Sequence, residues 1–102
     1  MIIRAWRGRV RSDRADAYVD YLRRTGLPDL ARTPGNRGVT LLRRPVDGDL
    51  VEFDVRSHWE SLDDIRAFAG EEVDRARYYP EDADFLLEMS ERVEHWEVVD
   101  ER

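Results

Sequence analysis

The chain has two histidines, and both sit in the same tripeptide: His58-Trp59-Glu60 and His95-Trp96-Glu97. An imidazole and a carboxylate two residues apart on a strand leave the same side of the backbone, with the indole between them on the other. Four such ligands would suit zinc or iron. The other chemically capable residues are aromatic: Trp59, Phe68 and the adjacent Tyr78 and Tyr79, which precede Pro80. A phenol facing a cavity can orient a substrate or hold a proton. Two tyrosines beside a proline at a helix end also serve to cover a hydrophobic edge. Trp59 reads as a core aromatic or, alternatively, as a cavity wall under a helix. There is no phosphate-binding glycine loop, no Gly-x-Ser-x-Gly elbow and no helix with two His four apart. With no Cys, disulfides, thiolate nucleophiles and sulfur-ligated metals drop out together.

The elements that must position these residues follow from periodicity. Residues 2–10 read as a strand. Ser12 and Asp13 are N-cap candidates for a first helix with the stripe Ala15, Val19 and Leu22, flanked by Tyr18. Gly26 stops that helix, and the segment from Leu27 to Asn36 reads as loop with one short helical turn. Residues 37–45 and 50–59 form a hairpin. Val51, Phe53, Val55, Ser57 and Trp59 share one face by period two, and Glu52, Asp54, Arg56 and His58 share the other. A three-residue loop, Asp47 to Asp49, brings Val39 and Leu41 to the apolar face and sets Arg44 opposite Glu52. Ser61 caps a second helix whose buried stripe is Leu62, Ile65, Phe68 and Ala69. Gly70 interrupts it, and a shorter helical piece is expected through Val73 and Ala76 to Tyr79. A further helical turn follows Pro80, and residues 92–99 are the last strand.

The order β-α-β-β-α-β suits an α+β, ferredoxin-like fold: a four-stranded antiparallel sheet, strand order 4-1-3-2, with the helices on one face. In that topology the first strand separates the two His-Trp-Glu segments. Two strand spacings are roughly 9–10 Å, whereas a metal–ligand bond is about 2 Å. The two segments are therefore not expected to form one metal site.

A chain of 102 residues is one domain, 1–102. At that size the core is thin, which favours a partner subunit. The face opposite the helices mixes charges of both signs with Thr40 and Leu42. A second copy of the same sheet would cover it, giving a homodimer through the sheet faces. The net charge of −6 argues against a nucleic-acid footprint and an anionic membrane surface. All 17 basic residues are Arg, which reads as the codon bias of a GC-rich genome. No stretch has the length for a membrane span or signal peptide, so the expected setting is cytoplasmic.

The run from His58 to Glu72, the Tyr78-Tyr79-Pro80-Glu81-Asp82 stretch and the closing Val93–Val99 segment resemble the antibiotic biosynthesis monooxygenase-like proteins, of the dimeric α+β barrel superfamily. The most specific part is the spacing of Trp59, Ser61, Ile65 and Phe68. The resemblance implies two sheets packed face to face as a dimeric α+β barrel. It also implies a cavity between helices and sheet where a small aromatic, quinol- or anthrone-like substrate is oxygenated without metal or organic cofactor. Trp59, Phe68 and Tyr79 are then the expected substrate-binding residues, with Tyr78 and His95 as candidate proton-handling groups. The haem-degrading branch of the family uses an Asn on the first strand, a Trp late in the second helix and a His about ten residues on. Arg7 (or a neighbour), Phe68 and Tyr78 stand at those positions here, a departure that argues against haem degradation. A non-catalytic dimeric binding or stress-response module is the competing reading.

Overall fold

In a computed structural model that describes residues 1–102, the sheet is built from β1 (Ile2–Arg11), β2 (Asn36–Val46), β3 (Leu50–Trp59) and β4 (Glu94–Glu97). All pairings are antiparallel and the order is β2-β3-β1-β4, the ferredoxin-like arrangement expected. The loop at 47–49 sets the expected register, with Arg44 opposite Glu52 and Leu41 opposite Val55. Pro45, which cannot donate to a ladder, lies on β2, an edge strand.

One face of the sheet is apolar and carries the helices. Val10, Phe53, Val55, Trp59 and Ile65 are buried there with Ala15, Tyr18, Tyr21 and Leu22 of α1 (Ala15–Arg24). Tyr18 and Tyr21 stack on each other, and Phe53 meets Tyr18 edge-on. The sequence reading missed Tyr21, which extends the stripe by one helical turn beyond Tyr18.

Several expectations change in detail. Ser12 and Asp13 do not cap α1: Ser12–Arg14 form a 3₁₀ turn, Arg14 precedes the helix with no side-chain cap, and the Ser12 amide donates to the Asp49 carbonyl at 2.6 Å. The loop after Gly26 contains a two-turn helix, α2 (Gly26–Arg32). Pro28 is tolerated there because its missing N–H falls in the first turn. On α3 (Leu62–Ala69) Ser61 is the cap, its Oγ accepting from the Asp64 amide at 3.3 Å, but Leu62 is 41% exposed. Gly70 ends α3 at φ 90°, a conformation that favours glycine.

The helix expected from Val73 to Tyr79 does not form. Its backbone groups are engaged elsewhere. The Arg4 guanidinium donates to the carbonyls of Val73 and Arg75, the Ala76 amide to the Glu91 carbonyl at 2.8 Å, and the Val93 amide to the Asp74 carbonyl at 2.7 Å. Residues 70–81 thus run as irregular chain pinned to β1 and to the approach of β4. Only α4 (Asp82–Phe85) is helical after Pro80. β4 is half as long as the expected strand at 92–99.

Candidate functional site

Irregular chain laid over a sheet leaves a gap that a regular helix would fill. A cavity of ≈ 60 Å³ lies between the sheet, α1, α2, α3 and the 73–82 stretch. The floor comes from β1 and β3: Arg4, Trp6, Val55 and Ser57. These residues alternate along their strands and so share the helix-facing side. Phe68 reaches in from α3, Tyr18 and Leu22 from α1, and Leu27 and Leu30 from α2. Arg77, Tyr78, Tyr79 and Asp82 close the wall.

The polar groups of this wall fall into two hydrogen-bonded sets, one around Tyr78 and one around Asp82 and Tyr79. Trp6 Nε1 donates to the Tyr78 hydroxyl at 3.2 Å, and that hydroxyl donates to the Ser90 carbonyl at 2.6 Å. The two rings meet edge-to-face. Asp82 is 4% exposed. Its Oδ1 accepts from the Tyr18 hydroxyl at 3.1 Å and its Oδ2 from the Tyr79 amide at 2.7 Å. The Tyr79 hydroxyl donates to the Asp29 carboxylate. The Arg77 guanidinium lies over the rings of Phe68 (4.7 Å) and Tyr79 (5.3 Å).

Burial governs the proton affinities. It pushes the Asp82 carboxyl above the usual carboxylate range, against the opposing pull of the Tyr79 amide and the Tyr18 hydroxyl. It raises the Tyr78 phenol, and together with the bond to Asp29 it pushes the Tyr79 phenol up to about 12. Asp29 moves the other way, chiefly because it accepts from Tyr79. A buried carboxylate in a cleft, the sole acid in the wall, has the environment of a general base.

Of the residues singled out from sequence, Phe68, Tyr78 and Tyr79 line the cavity and Trp59 and His95 do not. Trp59 is wholly buried in a cluster with Leu30, Val55 and Ile65, its Nε1 donating to Ser57 Oγ at 2.8 Å. It supports the floor through Ser57 rather than forming the wall. His95 sits opposite Arg4 on β4, half-buried, with Nε2 lacking a partner. Burial and the Arg4 charge both lower its proton affinity. The sequence reading overlooked Arg4 and Asp82 and left the facing of Trp6 open. The alternation on β1 was ambiguous, since both of its faces carry apolar residues, and Asp82 lay in a stretch read only as a helix start.

The two His-Trp-Glu segments turn out to be inverted with respect to each other. Trp59 shares the helix-facing row with Ile2, and His58 points outward opposite Ile3. On β4, His95 shares the helix-facing row with Arg4, while Trp96 points outward opposite Ile3 and is 58% exposed. The imidazoles therefore leave opposite faces of the sheet, and Glu60 is paired with Arg37.

The outward face carries two arginine-clasped carboxylates. Asp54 accepts from Arg7 and Arg56, both at 3.3 Å. Glu52 accepts from Arg9 at 3.3 Å and Arg44 at 2.8 Å. Arg44, above all, holds the Glu52 carboxyl below its ordinary range.

No family model and no curated protein matches the chain. Solved structures do. One is the crystal structure of an arginine-to-serine mutant of MhuD with two manganese protoporphyrin IX molecules bound per active site. It shares 22% identity at a TM-score of 0.61, covering 100% of this chain and 98% of that one. Another is the heme-degrader MhuD from Mycobacterium tuberculosis with two hemes bound in its active site, at 22% identity and TM-score 0.60, covering 100% and 99%. At that identity the likeness is one of fold. No helix of the chain is long and apolar enough to cross a membrane.

Proposed function

We propose that this chain is a cofactor-independent, monooxygenase-like protein acting on a small electron-rich aromatic substrate of the quinol or anthrone kind. The carrying observation is the buried Asp82 carboxylate in a wall otherwise made of Trp6, Tyr18, Phe68, Tyr78 and Tyr79. In such chemistry the substrate first loses a proton. The resulting carbanion passes an electron to dioxygen, and the radical pair combines to a peroxide. For an anthrone, loss of water then leaves a carbonyl where the ring CH₂ had been. One oxygen atom enters the product and the other leaves as water; the carbon gives up four electrons and dioxygen takes four, so no further reductant is needed. The protein binds, deprotonates and shields the substrate from water.

Within this proposal Asp82 takes the proton, its affinity raised by burial above that of an ordinary carboxylate. Phe68 and Tyr79 flank the ring. Tyr78 serves by holding Trp6, since its hydroxyl already donates to Ser90. His95, outside the lining, stands opposite Arg4 and reaches the cavity only through it. The free volume is below the roughly 150 Å³ in which a benzene ring is held in a protein core. A ring therefore enters as wall side chains turn aside, and Arg77, Tyr78 and Tyr79 sit on chain with no helix or strand to hold them.

A porphyrin, as bound by the MhuD structures, suits these residues less well. Holding the iron would call for a nitrogen donor in the wall, and both histidines lie outside the cavity lining. The Tyr78 and Tyr79 hydroxyls are committed to Ser90 and Asp29. The proposed assembly is a homodimer through the outward sheet faces, supported by Leu42, exposed beside the clasped Asp54, and by Trp96, exposed opposite Ile3 on the same face. The proposed setting is the cytoplasm.

The test is aerobic oxidation of an anthrone by metal-free protein. Turnover that Asp82→Asn removes without loss of fold supports the reading. A rate equal to buffer alone, in folded protein, sinks the enzyme and leaves a binding module.

A further inference from the structure

Taking the cavity as the ligand site of the proposed function, we propose that its ligand is an aromatic carboxylate whose anionic group is received by Arg4 and Arg77. Arg4 is 4% exposed, yet no carboxylate lies within ion-pair distance of it. Two of its five N–H donors reach the backbone carbonyls of Val73 and Arg75. The rest of the guanidinium has no protein acceptor. Leaving a buried cation without an anion is costly, and chains ordinarily avoid it. This chain has 23 acidic side chains, and none is used in that way. Asp74, the acid that most influences Arg4, is paired with Arg92 at 3.3 Å. Burial lowers Arg4 to about 10, which leaves it a cation at neutral pH.

Arg77 is the second half of the site. Its guanidinium donates to the Phe68 carbonyl at 3.1 Å. The nearest acid is Asp29 at 4.0 Å, which already accepts from Tyr79 and Arg32. Arg4 and Arg77 both lie against the Phe68 ring, at 5.8 and 4.7 Å from its centroid. Asp82, the one acid in the wall, is held by Tyr18 and the Tyr79 amide and pairs with neither arginine. The wall therefore carries two cations against one carboxylate, set around an aromatic face. A guanidinium fork matches the two oxygens of a carboxylate, and Phe68 offers its substituent ring a stacking surface. An anchored carboxylate would also fix the ring relative to Asp82.

Calorimetric titration of the full-length protein under nitrogen tests this without turnover. Benzoate is compared with benzyl alcohol, which has the same ring and no charge. Benzoate should bind at least about tenfold tighter at low salt, the scale of one charge-assisted hydrogen bond, and the margin should shrink as salt is raised. In Arg77→Gln, an exposed position that should leave the fold intact, the preference should fall to near parity. Arg4→Lys, which keeps the charge but not the fork, should reduce it. Equal affinities in the native protein, no benzoate binding, or a preference untouched by Arg77→Gln would each overturn the proposal. Benzoate selectivity without oxygen consumption on any aromatic would keep the anion site and remove the oxygenase. Oxygen consumption without selectivity would do the reverse.

Discussion

Replacing Trp59 separates a residue that supports the cavity floor from one that touches a ligand. Its side chain is wholly buried against Leu30, Val55 and Ile65 and donates to Ser57 Oγ at 2.8 Å. Trp59→Ala would cost about 3–5 kcal/mol. That is a large share of the roughly 5–15 kcal/mol that holds a domain together, so the alanine variant risks reporting unfolding alone. Trp59→Phe is the sharper change. It removes one hydrogen bond, about 1 kcal/mol, and leaves a smaller void, for a total of about 1–3 kcal/mol. In a domain of this size each kcal/mol lowers Tm by about 4–8 °C. The expected result is a melting curve shifted down by several degrees, by circular dichroism, with ligand affinity at low temperature within about twofold of native. An unchanged Tm with binding abolished would refute the placement of Trp59 beneath the wall.

The remaining expectations concern other parts of the molecule. Gly8→Ala would put a Cβ 2.5 Å from the Trp6 ring and 2.8 Å from Leu86. It should displace Trp6 from Tyr78, destabilise by about 1–3 kcal/mol and lose ligand binding, read by calorimetry; a variant that binds as the native protein does would contradict this packing. Light scattering should give about twice the 12.1 kDa chain mass, and Arg56→Glu, which puts a third acid beside Asp54, should lower it; a monomer mass in the native protein would remove the dimer. Asp82, raised by burial, contributes stability that is present at acid pH and lost as pH rises through its folded value. The urea midpoint of Asp82→Asn relative to native should therefore rise from pH 4 to pH 7, and a flat or falling difference would contradict the burial of a charged carboxylate.

Much of the fold was legible because period two on β3 is clean. Phe53, Val55, Ser57 and Trp59 against Glu52, Asp54, Arg56 and His58 fixed both the buried face and the hairpin register. The irregular 70–81 chain was not legible, because what prevents its helix is the guanidinium of Arg4, nearly seventy residues away in sequence. The same long-range contact hid half the site: Arg4 and Asp82 reach one cavity only once the chain is pinned across β1. Phe68, Tyr78 and Tyr79 could be found locally, as aromatic groups at a helix stripe and a helix break. Trp59 could not be assigned to wall or core from spacing, since both readings put it on the same face of β3.

The central claim rests most directly on oxygen uptake. Metal-free protein is mixed with an anthrone bearing a carboxylate in an oxygen electrode, beside Asp82→Asn at equal concentration. Uptake above the buffer rate by the native chain, one oxygen molecule consumed per product formed, and none above buffer by Asp82→Asn, is the expected result. Equal uptake by both proteins, or by native protein and buffer, would contradict it.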